Sequence, residues 1–237
     1  MNPFWKNIQI LSDIIGLIYP ETCAACGQKL VRGEKEICIP CMLQLPQTQY
    51  HLVSANPVEK IFRGRVTINF ATSLFFFEKG LKVQRLLHEI KYKNNRNLAR
   101  FLGEYYGFQL KEILQQWNPF CFIPVPLHPT KHRQRGFNQS AEFSLGLTNS
   151  SGIQTLSDIL VRTVYTETQT KKSRFDRWQN VKDKFTIIHP ERIVGKNLIL
   201  VDDVITTGST LESCAHTLLQ AGAKKIGAVS IACAVHY

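Results

Sequence analysis

The stretch NLILVDDVITTGSTLESCAHTLLQAG, residues 197–222, runs apolar until it meets two adjacent carboxylates, Asp202 and Asp203. A cluster of small residues follows, Thr206, Thr207, Gly208, Ser209 and Thr210, and then apolar side chains recur at 211, 214, 215, 218 and 219 as far as Gly222. That order predicts a strand, a loop and a helix with a glycine stop. A loop that opens a helix is a ready anion site, because free backbone N–H groups and the positive end of the macrodipole point into it. The four hydroxyls add donors, and Gly208 lets the backbone approach closely. No lysine stands where the phosphate loop of a nucleotide triphosphatase needs one, which excludes that class and leaves a single terminal phosphate. The paired acids repel each other and need a partner. Vicinal sugar hydroxyls, with Mg²⁺ relieving the repulsion, supply one. A phosphorylated ribose satisfies both halves.

The rest of the composition bounds the chain. Its 237 residues, 44% hydrophobic and 20% charged, suit a soluble globular protein of one ordinary domain plus an accessory piece. The net charge of +11 is concentrated. Residues 82–100 carry +5, residues 131–135 (KHRQR) +3 and residues 171–177 (KKSRFDR) +3, so the remainder is formally neutral. A concentrated charge points to an anionic partner. Seven cysteines, three of them scattered in apolar surroundings, are not a secreted disulfide framework. The N-terminus has no basic region ahead of a continuous apolar core, and no apolar run nears the ~18–20 residues of a membrane span. These features point to the cytoplasm.

Along the chain, Phe4, Ile8, Leu11, Ile15 and Ile18 predict an amphipathic helix within residues 1–20, packed on its own domain or laid on a membrane surface. A polar connector, QTQYHLVSANP, leads to a strand near 66–77. A helix begins at Leu86, is interrupted by the polar loop KYKNNRN, and resumes from Leu98 to Trp117. Then come FCFIPVP, a basic loop, a helix from Asn138, and the turn signal TNSSG. Strands near 159–164, 185–188, 198–202 and 225–235 complete the pattern. Strands alternating with helices predict an α/β fold with a parallel sheet covered on both faces, over residues 60–237.

Residues 21–46 hold a separate signal. Cys23, Cys26, Cys38 and Cys41 form two CxxC pairs eleven residues apart, the spacing that presents four thiolates to a tetrahedral Zn²⁺. The module's own side chains balance to zero charge, and four thiolates with Zn²⁺ make it about −2, the wrong sign for reading phosphate backbones. The zinc finger is therefore expected to be structural.

At LILVDDVITTGST the sequence resembles the type I phosphoribosyltransferases, a Rossmann-like fold, at their signature for phosphoribosyl pyrophosphate. With FIPVPLHPTKHRQRGFNQSAEF, the double-CxxC head and TQTKKSRFDRWQNV, the whole chain resembles the ComF family, associated with natural competence and uptake of single-stranded DNA. The resemblance implies phosphoribosyl pyrophosphate bound with Mg²⁺ at Asp202, Asp203 and residues 206–210. It puts the pyrophosphate loop at Arg133, Arg135 and Gly136, and a lid at Gln169, Arg177 and Asn180. Lys172 departs from the apolar residue common in that lid, and Pro124 and Pro126 would oppose a central strand, a local rule that the resemblance overrides. The resemblance also implies DNA-uptake machinery at the inner membrane as a partner. Lys91, Lys93 and Arg96 either widen a basic surface for single-stranded DNA or form a solvated helix end, and Tyr92 either stacks bases or joins the core. Two classes of function follow. One is a transferase in which an acceptor attacks ribose C1 as pyrophosphate leaves; the other is a binding protein handling DNA. No residue identifies a nucleobase acceptor or a catalytic group.

Overall fold

A computed structural model describes residues 20–78, 80–162 and 185–234. The expected N-terminal helix and the lid residues Gln169, Lys172, Arg177 and Asn180 lie outside them. The chain divides into two compact units, Met1–Leu45 and Pro46–Tyr237.

In the small unit Cys23 and Cys26 flank a tight turn, and Cys38 and Cys41 lie at the start of a short helix. Gly27 and Gly33 take left-handed backbone angles, and Ala24 N–H donates to Glu36 O at 2.8 Å, tying the two arms together. A short helix α1 (Ile39–Gln44) carries Cys41 inward.

The large unit is built on four parallel strands: β1 (Phe70–Phe76), β2 (Cys121–Pro124), β5 (Asn197–Ile205) and β6 (Lys225–Cys233), in the order β1-β6-β5-β2. The interior strand β6 is buried from Ile226 to Cys233 and reads as one apolar run, as a strand covered on both faces must. The register pairs Asp202 with Ser230 and Ile205 with Cys233, so β5 continues three residues beyond the first acid.

The helices follow in chain order: α2 (Pro57–Lys60), α3 (Lys82–Tyr92), α4 (Arg96–Gln109), α5 (Lys111–Trp117), α6 (Pro129–Arg135), α7 (Gln139–Ser151) and α8 (Ser209–Gln220). Helix α8 buries Leu211, Cys214, Ala215 and Leu218, the stripe its periodicity requires. Helices α4 and α7 approach backbone to backbone. A Cβ on Gly103 would lie 2.1 Å from Phe143 O, and one on Gly146 would lie 2.1 Å from Arg100 O.

Several local expectations change. KYKNNRN is mostly helical: the break is only Lys93–Asn95, where Asn94 is left-handed (φ 56°) and Asn95 caps α4 through Leu98 N–H. The helix beyond it divides at Leu110. The basic loop is the helix α6, started by Pro129 and stopped by Gly136 at φ 71°. TNSSG is helical through Ser151, and Gly152 ends the helix. The connector QTQYHLVSANP is part of the fold. Gln47 bridges to Phe75, Thr48 N–H reaches Leu74 O at 3.0 Å, and Tyr50 is buried. The strands β3 (Leu160–Arg162) and β4 (Phe185–Ile187) pair with each other, antiparallel, in a sheet of their own rather than in the parallel one. The prolines need no exception, because β2 is an edge strand. Phe122 N–H already points away from β5 toward Gln154 O, so Pro124, two residues on, lacks a donor that β5 never needed.

Candidate phosphate-binding site and cysteine cluster

The acids of β5 are not at a free strand end. Both are partly buried, and each has a partner from a different helix. Lys91, on the last turn of α3, places its Nζ 2.8 Å from Asp203 Oδ2, with the side chains 21% and 17% exposed. That shelter makes the pair stronger than a surface contact, and either charge costly to leave alone. Asp202 Oδ1 accepts from Ser140 Oγ at 3.2 Å and from Asp203 N–H at 2.8 Å. Ser140 is held there because Asn138 caps α7 and also donates to Val125 O at 3.0 Å. The paired acids therefore find their first partners within the protein.

Burial, and then the charge of Asp203, push the Asp202 carboxyl up to about 7. The folded protein holds this proton after the unfolded chain has released it, so the group's contribution to stability is full below the usual carboxylate range and is lost as pH rises through about 7. In magnesium-free buffer, Asp202→Asn should therefore melt at nearly the wild-type temperature near pH 4 and above it at pH 8. A melting difference that stays constant with pH would contradict this environment.

Beyond Ile205 the loop is open. Thr206, Thr207, Ser209 and Thr210 are exposed, Gly208 has no side chain with which to cap α8, and only Thr207 Oγ1, at 3.5 Å from Ser209 N, approaches its first N–H among the described residues. Gly208 is needed twice: it takes φ 73°, and a Cβ there would meet Ile61 Cγ2 and Phe62 Cε1 at 2.8 Å. The close approach is thus to the protein's own core. Arg65 braces the loop from the same side. Its guanidinium donates to Thr207 O at 2.8 Å and pairs with Glu212, while His216 Nε2 lies 3.1 Å from Arg65 O. The loop presents hydroxyls and helix N–H groups on a fixed backbone, donors suited to a phosphate.

The remaining candidates are placed as follows. Arg135 reaches Gln139 Oε1 at 3.0 Å and lies 5.9 Å from the Tyr92 ring centroid. Arg133 lines an open cavity of ≈ 660 Å³ beside Gly136 and Arg96. Arg96 donates to Gly136 O at 3.0 Å and stacks 5.0 Å over Phe137. Lys93 is spent on Glu89, one helical turn back. Lys91, read as a DNA contact, is the counter-ion of Asp203. Tyr92 is 68% exposed and so is not core. Sequence reasoning missed Ser140 and Arg65. The repulsion between the acids was the signal that some cation had to come near, but only the fold shows which.

In the small unit the four Sγ atoms of Cys23, Cys26, Cys38 and Cys41 lie within 4.8 Å of one another, and Cys26 and Cys38 are 3.9 Å apart. Metal–sulfur bonds of about 2.3 Å make a tetrahedron with edges of about 3.8 Å, so the cluster has the size a Zn²⁺ needs. Burial raises the Cys23 thiol, but the N–H groups of Cys38, Cys26 and Ala25 outweigh it and bring it down to about 7. At Cys38 the Cys41 N–H is outweighed by burial and the neighbouring thiols, which push that thiol the other way, so the lowered proton affinity belongs to Cys23 and the case for a metal rests on the four-sulfur geometry.

The phosphoribosyl transferase domain family matches residues 153–236, which include β5, the loop and α8. The DNA utilization protein YhgH of Escherichia coli O157:H7 is 30% identical over 210 residues, 86% of each chain. The chain belongs to the ComF/YhgH family. Other relatives of this ComF-family chain are competence protein F of Haemophilus influenzae, 29% identical over 86% of this chain and 81% of its own, and competence protein ComFC of Streptococcus pneumoniae, 26% identical over 95% and 94%. The family's two parts are both present: a phosphoribosyltransferase-like α/β domain and a cluster of four cysteines. No helix among the described residues is long and apolar enough to cross a membrane.

Proposed function

We propose that this ComF-family chain binds phosphoribosyl pyrophosphate with Mg²⁺ at Asp202, Asp203 and residues 206–210, and acts on single-stranded DNA during natural competence. One observation carries the reading: a helix start with a glycine at its cap position and four exposed hydroxyls around it follows directly on two carboxylates that their neighbours hold in place. The loop suits the 5′-phosphate, and the acids suit ribose hydroxyls. Mg²⁺, when bound with the ligand, offsets the charge gathered between pyrophosphate and carboxylates. Arg133 and Arg135 stand for pyrophosphate, and the lid residues Gln169, Arg177 and Asn180 for closure over it. Structural Zn²⁺ occupies the four thiolates. The names of the relatives, competence and DNA utilization, support DNA as the partner. The same reading places the chain in the cytoplasm, with DNA-uptake machinery at the inner membrane as a partner.

The test is isothermal calorimetry with phosphoribosyl pyrophosphate and Mg²⁺. Asp203→Asn keeps an acceptor opposite Lys91 and should preserve the fold, while weakening the ligand roughly ten- to a hundred-fold, the worth of hydrogen bonds to a charged group. Equal affinity in the variant would remove Asp203 from the site. Transferase turnover is the second reading, favoured by the match to the transferase domain family. Pyrophosphate release dependent on a nucleobase would establish it.

A further inference from the structure

Arg96, Arg133 and Arg162 converge on the ≈ 660 Å³ cavity, and no residue of 202–210 lines it. Among the described residues no carboxylate pairs with any of the three. The acid in the wall, Glu142, is already neutralised by Arg100 at 2.6 Å. Two of the guanidiniums are pre-positioned on aromatic rings, Arg96 over Phe137 at 5.0 Å and Arg162 over Phe185 at 5.6 Å. Such stacking orients the fork and leaves N–H groups for an anion. Next to this wall, Arg135 of α6 lies against the exposed ring of Tyr92, with the ring of His88, one turn back on α3, 4.8 Å away. Guanidiniums with no carboxylate partner among the described residues, beside an exposed aromatic, are the two parts of single-strand recognition, one for phosphates and one for a base face that a duplex hides.

We infer that Tyr92 stacks an unpaired base of a DNA single strand whose phosphates lie in the cavity on Arg96, Arg133 and Arg162, with Arg133 shared between the strand and the pyrophosphate so that the two ligands compete for it. The placement rests on the reading of the chain as a DNA-binding protein. It replaces Lys91 and Lys93, whose ammonium groups are engaged by Asp203 and Glu89, as the principal phosphate contacts.

The experiment is fluorescence anisotropy of the full chain with oligodeoxythymidylate of about 16 nucleotides. Tyr92→Ala should weaken binding roughly ten-fold on this strand, and should change nothing on an abasic strand of equal length. Arg133→Gln with Arg162→Gln, at an unchanged melting temperature, should reduce the slope of log K against log[salt] by about 1.4. If the unaltered chain binds no single strand, the DNA reading itself falls. If it binds and neither variant alters affinity or slope, that reading stands and this placement is wrong. A duplex bound as tightly as the single strand, or oligouridylate bound more tightly than oligodeoxythymidylate, would overturn the assignment. So would a strand displaced by inorganic pyrophosphate yet indifferent to the arginine pair.

Discussion

Cys38→Ser is expected to strip the metal from the small unit and unfold it. The described part of that unit buries few large apolar side chains, Ile37 and Leu45, besides the cysteines themselves. Two aliphatic side chains cannot offset the entropy of ordering a segment of this length, about 1–2 kcal/mol per residue for the backbone alone. Zinc binding in comparable peptides contributes about 10–16 kcal/mol near neutral pH, so the metal and the fold stand or fall together. Elemental analysis should give one zinc per chain for the wild type and close to none for the variant. Limited proteolysis should open new cleavage sites between residues 21 and 45 in the variant only. Full zinc retention without the Cys38 thiolate would exclude the tetrahedral assignment. Because the ligands must be deprotonated, acid should release the metal from the wild type as well.

The second large effect lies at the contact of α4 with α7. Gly103→Ala places a methyl group 2.1 Å from a backbone carbonyl, Phe143 O, and close to Gly146 Cα at 2.9 Å. Neither atom belongs to a side chain that can turn away, so the helices must separate. The cost should reach or exceed the upper end of the ~1–3 kcal/mol usual for overpacking. Gly107→Ala, one turn along, offers the control. Its nearest neighbour, Ser150 Oγ at 2.0 Å, is the end of a small side chain that can change rotamer. Urea denaturation should show a much lower midpoint for Gly103→Ala than for Gly107→Ala. Equal midpoints would mean that the two helices do not touch as described.

Much of this was readable before any coordinates. The alternation of strands and helices, the stripe of α8 and the loop at 206–210 follow from periodicity and from the run of small residues that opens the helix. The four cysteines were legible because CxxC geometry is local: two knuckles of four residues each set most of the sulfur positions. The local rule on Pro124, set aside in favour of the resemblance, was the better guide, because its strand lies at the sheet's edge.

What escaped was non-local. Lys91 and Asp203 are 112 positions apart, and Ser140 and Asp202 are 62 apart. Nothing in local periodicity says which basic residue the third helix will deliver to the end of β5, so Lys91 read as surface charge. Arg65 meets Thr207 across 142 positions for the same reason. The pairing of β3 with β4 apart from the main sheet is also a choice among strands of similar composition. Spacing and residue type alone determined the candidate chemistry: a phosphate loop, paired acids, four thiolates and an excess of cations. Only the tertiary structure decided which cations are consumed as internal counter-ions and which remain for a ligand, because a charge's partner is set by where the chain returns in space.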